Sequence, residues 1–147
     1  MGSLIHLYHL DLTQNKIRLS TLPKTFFDLP RLERLYLSGN RIEKISGDFG
    51  KFPNLRILSV RDNQISAIHR DICRLIYLRE LHLEGNQLRL LPPEIVELEE
   101  LNGNYGAFHT VENPWILPIR ERSTVGTNQL MEYLSSTCYK IVYDRNK

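Results

Sequence analysis

Apolar residues recur along the chain in a nine-residue pattern. In residues 55–63, LRILSVRDN, apolar side chains occupy the first, fourth and sixth positions and an asparagine occupies the ninth. The same pattern returns at residues 7–15, 32–40 and 78–86. Four copies in register predict one structural unit that is stacked repeatedly on itself.

Within each copy the apolar residues alternate with variable ones, which is typical of a short strand with one buried face. We expect successive strands to lie side by side in a parallel sheet. Its inward residues are Leu10, Leu12, Leu35, Leu37, Leu58, Val60, Leu81 and Leu83. The second half of each unit predicts short helical turns on the convex side, whose inward residues are Phe26, Leu29, Phe49, Phe52, Ile72, Leu75, Ile95 and Leu98.

The units fill residues 1–100 as four repeats, 7–31, 32–54, 55–77 and 78–100. The first repeat is longer than the others, and we expect its extra residues to form a local bulge near residues 18–21. An asparagine recurs where each strand turns into the convex half. Its amide can pair with backbone groups of neighbouring coils, which predicts a structural ladder through Asn15, Asn40, Asn63 and Asn86.

The period breaks after residue 100. Residues 101–122 are predicted to form a degenerate fifth repeat and a cap, with Tyr105, Phe108 and Thr110 at the strand positions and with Pro114 and Trp115 ending the coil. In residues 123–147 apolar side chains recur at helical spacing, which predicts a capping helix and tail over the last coil. These side chains are Val125, Leu130, Tyr133, Leu134, Cys138 and Ile141. A helix that binds a partner is the alternative.

The pattern LxxLxLxxN resembles that of leucine-rich repeat proteins. The fold class implied is an α/β solenoid with short parallel strands on the concave face and a C-terminal capping helix. Composition agrees with a globular chain, because 41% of its 147 residues are apolar and 24% are charged. The net charge of +2 gives no reason to expect a nucleic acid or an anionic membrane as partner.

Two cysteines, Cys73 and Cys138, stand far apart in the sequence and form no disulfide framework. Their scarcity favours a reducing, cytoplasmic compartment, and no apolar run is long enough to predict insertion into a membrane.

Motifs for catalysis are missing from the sequence, which has no glycine-rich phosphate loop, no GxSxG and no HExxH. The histidines are scattered, and we interpret His82 with Glu84 as an exposed surface pair, not as a general base. The sequence therefore predicts no enzyme, no cofactor, no metal site and no small-molecule substrate.

The outward strand residues are the candidate partner-binding site. They carry both signs of charge around an apolar centre of Tyr36 and Ile57, and they lack the basic stripe of a nucleic-acid groove. The predicted contact residues are Asp11, Arg34, Tyr36, Ile57, Ser59, Arg61, Asp62, Glu80, His82 and Glu84. A solvated face without a partner is the alternative. Four short strands offer a patch of only about 300 Å², against ~800 Å² per partner in a standard interface, so we expect part of a site.

Several stretches outside the repeat pattern resemble the C-terminal part of the Ras suppressor family of intracellular leucine-rich repeat proteins. They include the long insertion IRLSTLPKTFFDL, the ending ENPWILPI and the tyrosine-rich segment QLMEYLSSTCYKIVYDR. The resemblance implies a non-enzymatic adaptor that binds the LIM region of PINCH, joins the integrin-linked kinase and parvin complex at focal adhesions, and restrains Ras signalling. The family's outward strand residues fall on Asp11, Tyr36, Ser59 and His82.

This chain departs from the family in three ways. Ser46 and His69 replace the proline of the convex loop, so we expect a looser convex side there. The family's basic tail is missing after Lys147, and its earlier repeats are missing too. An open apolar first coil is therefore expected, with marginal stability or self-association. Two other functions stay open, a scaffold for a small-GTPase or phosphatase complex and a regulatory fragment of a larger enzyme.

Overall fold

The computed structural model describes residues 4–147, so the first three residues of the predicted repeat region lie outside the described part. Five short strands form one parallel sheet: β1 (His9–Asp11), β2 (Arg34–Tyr36), β4 (Ile57–Ser59), β6 (Glu80–His82) and β7 (Ala107–His109). Their order in the sheet is β1-β2-β4-β6-β7, which is their order along the chain. The central residues of neighbouring strands stand side by side, from Leu10 at one edge to Phe108 at the other. The α/β solenoid expected from the sequence is confirmed.

The convex side consists of short 3-10 helices at Leu19–Thr21, Lys24–Phe27, Gly47–Lys51, Arg70–Arg74 and Pro93–Glu97. The extra residues of the first repeat fall in the turn at Leu19–Thr21. All eight apolar residues predicted for this wall are buried. Phe26, Phe27, Phe49 and Phe52 also pack against one another, with ring centroids 5.1–6.4 Å apart.

Regular structure continues where Ser46 and His69 replace proline. A second parallel pair, β3 (Lys44–Ile45) and β5 (Ala67–Ile68), ends directly before these two residues. The Nδ1 atom of His69 then accepts a hydrogen bond from the amide of Asp71 at 3.2 Å. A histidine can thus cap the following turn through its ring, because a ring nitrogen with a free lone pair accepts as a capping oxygen does.

Most of the predicted inward strand residues are buried, and the exceptions lie in the first coil. The inward residues of β2, β4 and β6 are fully enclosed, whereas Leu10 and Leu12 are only half-buried. Leu10 and Leu12 thus pack against the core as predicted, but they are not buried within it. The reason is position: β1 is the edge strand of the sheet, so its coil packs against a neighbour on one side only among the described residues.

Asparagine side chains join successive coils at the end of each strand. The amide group of Asn63 donates to the carbonyl oxygens of Leu37, Val60 and Arg61, and its Oδ1 accepts from the Ile42 amide, all at 3.0 Å. Asn40, Asn86 and Asn113 also make hydrogen bonds to neighbouring coils. Asn15 differs from the sequence expectation, because its exposed side chain donates only to Thr13 within its own turn.

The residue before each of these asparagines has a left-handed backbone. The φ angles lie between 52° and 66°, in the left-handed region, at Gln14, Gly39, Asp62, Gly85 and Glu112. Large and small residues alternate at these five positions. A Cβ atom on Gly39 would lie 3.0 Å from Cγ of Gln14, and one on Gly85 would overlap the Asp62 carboxylate.

The C-terminal part contains several helices, not the single capping helix predicted from Ser123. After the short helix α1 (Glu99–Asn102) and strand β7 come α2 (Leu117–Val125), α3 (Thr127–Ser135) and α4 (Thr137–Asn146). Gly126 and Ser136 adopt extended ψ angles that interrupt the helical path. Each interruption changes which residues face inward. Leu130 and Leu134 are therefore buried, whereas Val125, Cys138 and Ile141 are exposed.

Two aromatic side chains attach this cap to the repeats. Trp115 is buried, and its indole Nε1 donates to the carbonyl oxygen of Thr110 at 2.7 Å. The hydroxyl of Tyr139, which is fully buried, donates to the carbonyl oxygen of Leu91 and accepts from the Leu91 amide. Burial raises the pKa of the Tyr139 hydroxyl, so it stays protonated and available as a donor.

Two other predicted cap residues are on the surface. Pro114 is exposed, and Tyr105, which the sequence places at an inward strand position, is 82% exposed. The next residue, Gly106, passes directly against α1, where a Cβ would overlap the carbonyl group of Leu101. Among residues 4–147, no helix combines the length and the apolar character needed to cross a bilayer.

Candidate protein-binding face

The concave face is formed by the side chains that alternate with the buried leucines of the five-stranded sheet. Parallel pairing in register sets equivalent positions of successive repeats next to one another, so His9, Arg34, Ile57 and Glu80 form one row and Asp11, Tyr36, Ser59 and His82 form the next. The sheet therefore brings together strand residues that are far apart in sequence, as the repeat pattern predicts.

The apolar centre of the concave face consists of Tyr36 and Ile57, and both are half-buried. The rings of Tyr36 and His9 lie 5.3 Å apart between centroids at a tilt of 37°. This contact supports one face of the tyrosine ring and leaves the rest accessible. Arg34 is exposed beside them.

Ser59 is not an accessible contact residue, which corrects the sequence prediction. It is 5% exposed, and its Oγ lies 2.9 Å from Oγ of Ser38 on the neighbouring coil. Ser59 therefore serves the sheet itself, although its backbone position is on the concave face.

Asp11, Arg61 and Asp62 are exposed and give the concave face charges of both signs. The hydrogen bond from the hydroxyl of Thr13 and, as a smaller contribution, the one from its amide lower the pKa of the Asp11 carboxyl. The amide bond measures 2.9 Å. Asp11 therefore carries its negative charge at neutral pH.

At the far end of the concave face, the structure joins two predicted residues with one that the sequence prediction missed. His109 of β7 pairs in register with His82 of β6, and their rings stack with centroids 4.7 Å apart and planes 6° from parallel. The sequence prediction places His82, but not His109, at an outward strand position. The alternation around Phe108 and Thr110 would have placed His109 there as well, because it stands between those two inward residues.

Glu84 is buried, which corrects the interpretation of His82 and Glu84 as an exposed surface pair. Glu84 is only 9% exposed. Its Oε1 lies 3.7 Å from both Nδ1 of His82 and Nε of Arg61, and 3.9 Å from Nδ1 of His109. Nε2 of His82 lies 3.4 Å from Oε2 of Glu80. These groups form one connected cluster at this end of the concave face.

Comparison with known proteins identifies the same repeat. The family profile described as "Leucine rich repeat" matches residues 1–42 and 30–88. The chain is similar to a leucine-rich repeat protein of Leptospira interrogans at 32% identity and a TM-score of 0.67, over 80% of this chain and 29% of that one. It is similar to the internalin InlF of Listeria monocytogenes at 26% identity and a TM-score of 0.64, over 76% of this chain and 31% of that one.

A chain in the structure of the Toll–Spatzle complex of Drosophila is similar at 28% identity and a TM-score of 0.61, over 76% of this chain and 16% of that one. This chain thus spans less than a third of the length of each of these three structures. A search of curated protein sequences gave no significant match.

Proposed function

The chain belongs to the leucine-rich repeat family, and from this membership we propose that it is a non-enzymatic adaptor that holds a protein partner on its concave face. The observation that carries the proposal is the apolar centre formed by Tyr36 and Ile57 within a ring of exposed charges. Tyrosine with a supported ring is typical of the anchor residues that dominate protein interfaces.

The rigidity of the sheet supports this proposal. The strand residues beneath the concave face, such as Leu35 and Leu58, are fully buried, so the outward side chains project from a packed layer. Binding then costs little ordering of the backbone, which favours affinity. One of the similar structures, that of Toll, is the structure of its complex with Spatzle.

For the partner, we propose the LIM region of PINCH. The support is the sequence resemblance to the Ras suppressor family in the long first repeat, in ENPW and in the C-terminal segment. On this proposal the chain works in the cytoplasm at focal adhesions, in the complex of integrin-linked kinase and parvin, and restrains Ras signalling. The other candidate is a scaffold for a small-GTPase or phosphatase complex, which would use the same face with another partner.

The area of the concave face sets the extent of the contact. Five strands about 4.8 Å apart, each three residues long, present roughly 240 Å². A standard interface covers ~800 Å² on each partner. The proposed complex therefore also uses residues beside the strands. One of them is Asp62, which follows β4 and is exposed.

Titration of the purified LIM region of PINCH into the chain tests the proposal. Tyr36→Ala removes the central anchor, so we expect affinity to fall by about tenfold or more. Arg61→Ala removes an exposed charge, and we expect a smaller loss that diminishes with added salt. Tyr77→Ala is the matched control, because Tyr77 is 49% exposed and lies outside the strands of the sheet.

Three results would count against the proposal in different ways. Unchanged affinity in both Tyr36→Ala and Arg61→Ala would show that the concave face is not the binding site. An equal loss in Tyr77→Ala would place the contact elsewhere or indicate a general effect on folding. If the unmodified chain does not bind the LIM region at all, PINCH is the wrong partner, and the scaffold hypothesis becomes the one to test.

A further inference from the structure

Three metal-ligating side chains meet at the far end of the concave face. One ligand atom each from His82, Glu84 and His109 lies within 4.8 Å of the other two. They come from two adjacent coils, because His82 and Glu84 lie two residues apart on the β6 coil and His109 belongs to β7. Only the pairing of the fourth and fifth coils creates this cluster.

The carboxylate at its centre lacks the hydrogen bonds that a buried acid needs. Glu84 is 9% exposed, and its Oε2 atom has no hydrogen-bond partner among residues 4–147. The cationic or potentially cationic nitrogens nearest to Oε1 are 3.7–3.9 Å away, which is longer than a hydrogen bond. A buried carboxylate with an unpaired oxygen is costly, so this side chain is suited to a ligand that neutralises it.

We propose that His82, Glu84 and His109 form a binding site for one divalent transition-metal ion of the Zn²⁺ class. Two imidazole nitrogens and one carboxylate are a ligand set that Zn²⁺ accepts in four-coordinate sites, with the fourth position left to water or to a partner's side chain. Imidazole donors favour Zn²⁺ and its neighbours in the transition series over Ca²⁺ and Mg²⁺, which prefer oxygen ligands alone.

The surroundings of His82 also fit a metal ligand. Its Nδ1 faces Glu84, whereas its Nε2 lies 3.4 Å from Oε2 of Glu80. An imidazole that ligates through one nitrogen commonly donates its other N–H to a carboxylate, which sets the tautomer and orients the ring. Glu80 is thus a positioning residue for His82.

The required movement is small. Ligands at tetrahedral positions around Zn²⁺ lie about 3.3 Å apart, and Oε1 of Glu84 is already 3.7 Å from Nδ1 of His82 and 3.9 Å from that of His109. The two rings are nearly parallel, so one must rotate before both can point at a single ion. His109 is the ring that can do so, because half of its side chain is exposed.

Arg61 is the competitor for the carboxylate. Its Nε is 3.7 Å from Oε1 of Glu84, and a metal ion there would repel the guanidinium group. Half of the Arg61 side chain is exposed, so it can turn into solvent when the ion binds. This competition distinguishes the metal site from a merely structural cluster, because removing Arg61 should then strengthen ion binding.

Calorimetric titration of the chain with Zn²⁺ in a non-chelating buffer tests the proposal, with Co²⁺ as the spectroscopic probe. We expect one ion per chain and ligand-field absorption typical of four-coordinate Co²⁺. Glu84→Gln and His109→Ala should each weaken Zn²⁺ binding by more than about tenfold, and Glu80→Gln by about tenfold. Arg61→Ala should tighten it. His9→Ala is the control, because His9 lies on the same face at the opposite edge, and it should leave the affinity unchanged.

Two outcomes would overturn the proposal: no saturable binding of one ion per chain, or binding that His109→Ala and Glu84→Gln leave intact. Circular dichroism of each variant separates a loss of Zn²⁺ affinity from a loss of folding. His109→Ala should remain folded, because half of the His109 side chain is exposed. The inference does not depend on which protein partner the concave face holds.

Discussion

Asn63 allows the most direct test of the asparagine ladder. It is 8% exposed and bridges the second and third coils. In Asn63→Ala the three carbonyl oxygens that lose this donor each keep another hydrogen bond. The carbonyl oxygen of Leu37 still accepts from the side chain of Asn40, that of Val60 from the side chain of Asn86, and that of Arg61 from the amide of Gly39. The Ile42 amide, which donates to Oδ1 of Asn63, is then the one ladder group left without a partner.

The expected cost follows from that single group. An unsatisfied buried donor costs about 1–3 kcal/mol, so Asn63→Ala should lower the free energy of unfolding by that amount. Asn63→Asp should cost more, roughly 3 kcal/mol or above, because it keeps an acceptor for Ile42 but turns a charged oxygen towards three carbonyl oxygens. Asn15→Ala is the matched control, since its side chain bonds only within its own exposed turn, and it should change stability by about 0.5 kcal/mol at most.

Urea unfolding followed by circular dichroism measures the three variants under one condition, and equal m-values show that the denatured states are comparable. The expected order of destabilisation is Asn63→Asp, then Asn63→Ala, then Asn15→Ala. The reasoning is refuted if Asn15→Ala destabilises as much as Asn63→Ala, or if the aspartate variant is the milder of the two at position 63.

Two further predictions concern the cap and the cysteines. Tyr139→Phe leaves both the amide and the carbonyl of Leu91 unpaired, so we expect a loss of about 1–3 kcal/mol for each group in the same urea assay, and an unchanged midpoint would contradict the anchoring role. Burial first, and then the negative charge of Glu97, raise the pKa of the Cys73 thiol. Because less thiolate is then present at any given pH, Cys73 should react with iodoacetamide more slowly than the exposed Cys138. Peptide mass spectrometry measures both rates, and equal rates would contradict this expectation.

The strand and turn positions of the repeats could be predicted from the sequence because each depends on residues that are close to it along the chain. Alternation of apolar and variable residues decides which side chains of Arg34–Tyr36 and Ile57–Ser59 face the core, and period-two alternation is a local property of an extended chain. Repetition in register then placed these strands in a parallel sheet without further information. The buried convex residues followed in the same way.

The end of the repeat region depended on contacts that the sequence pattern does not contain. The apolar spacing predicts one helical period through residues 123–147, but Gly126 and Ser136 interrupt the helix and change which side faces inward. Tyr105 matched the repeat pattern and is nevertheless exposed, and the chain at Gly106 passes against α1. Such close approaches between elements decide burial, and no local spacing records them.

The sequence by itself determined the repeating unit, the parallel sheet and the set of side chains on its concave face, since these follow from periodicity alone. The tertiary structure decided which of those side chains are accessible and which act together. Ser59 is buried and contacts Ser38 of the adjacent coil, and Glu84 lies against Arg61 and His109 of the two adjacent coils. The physical reason is that burial and electrostatics on a sheet depend on side chains from adjacent coils, which are more than twenty residues away along the chain.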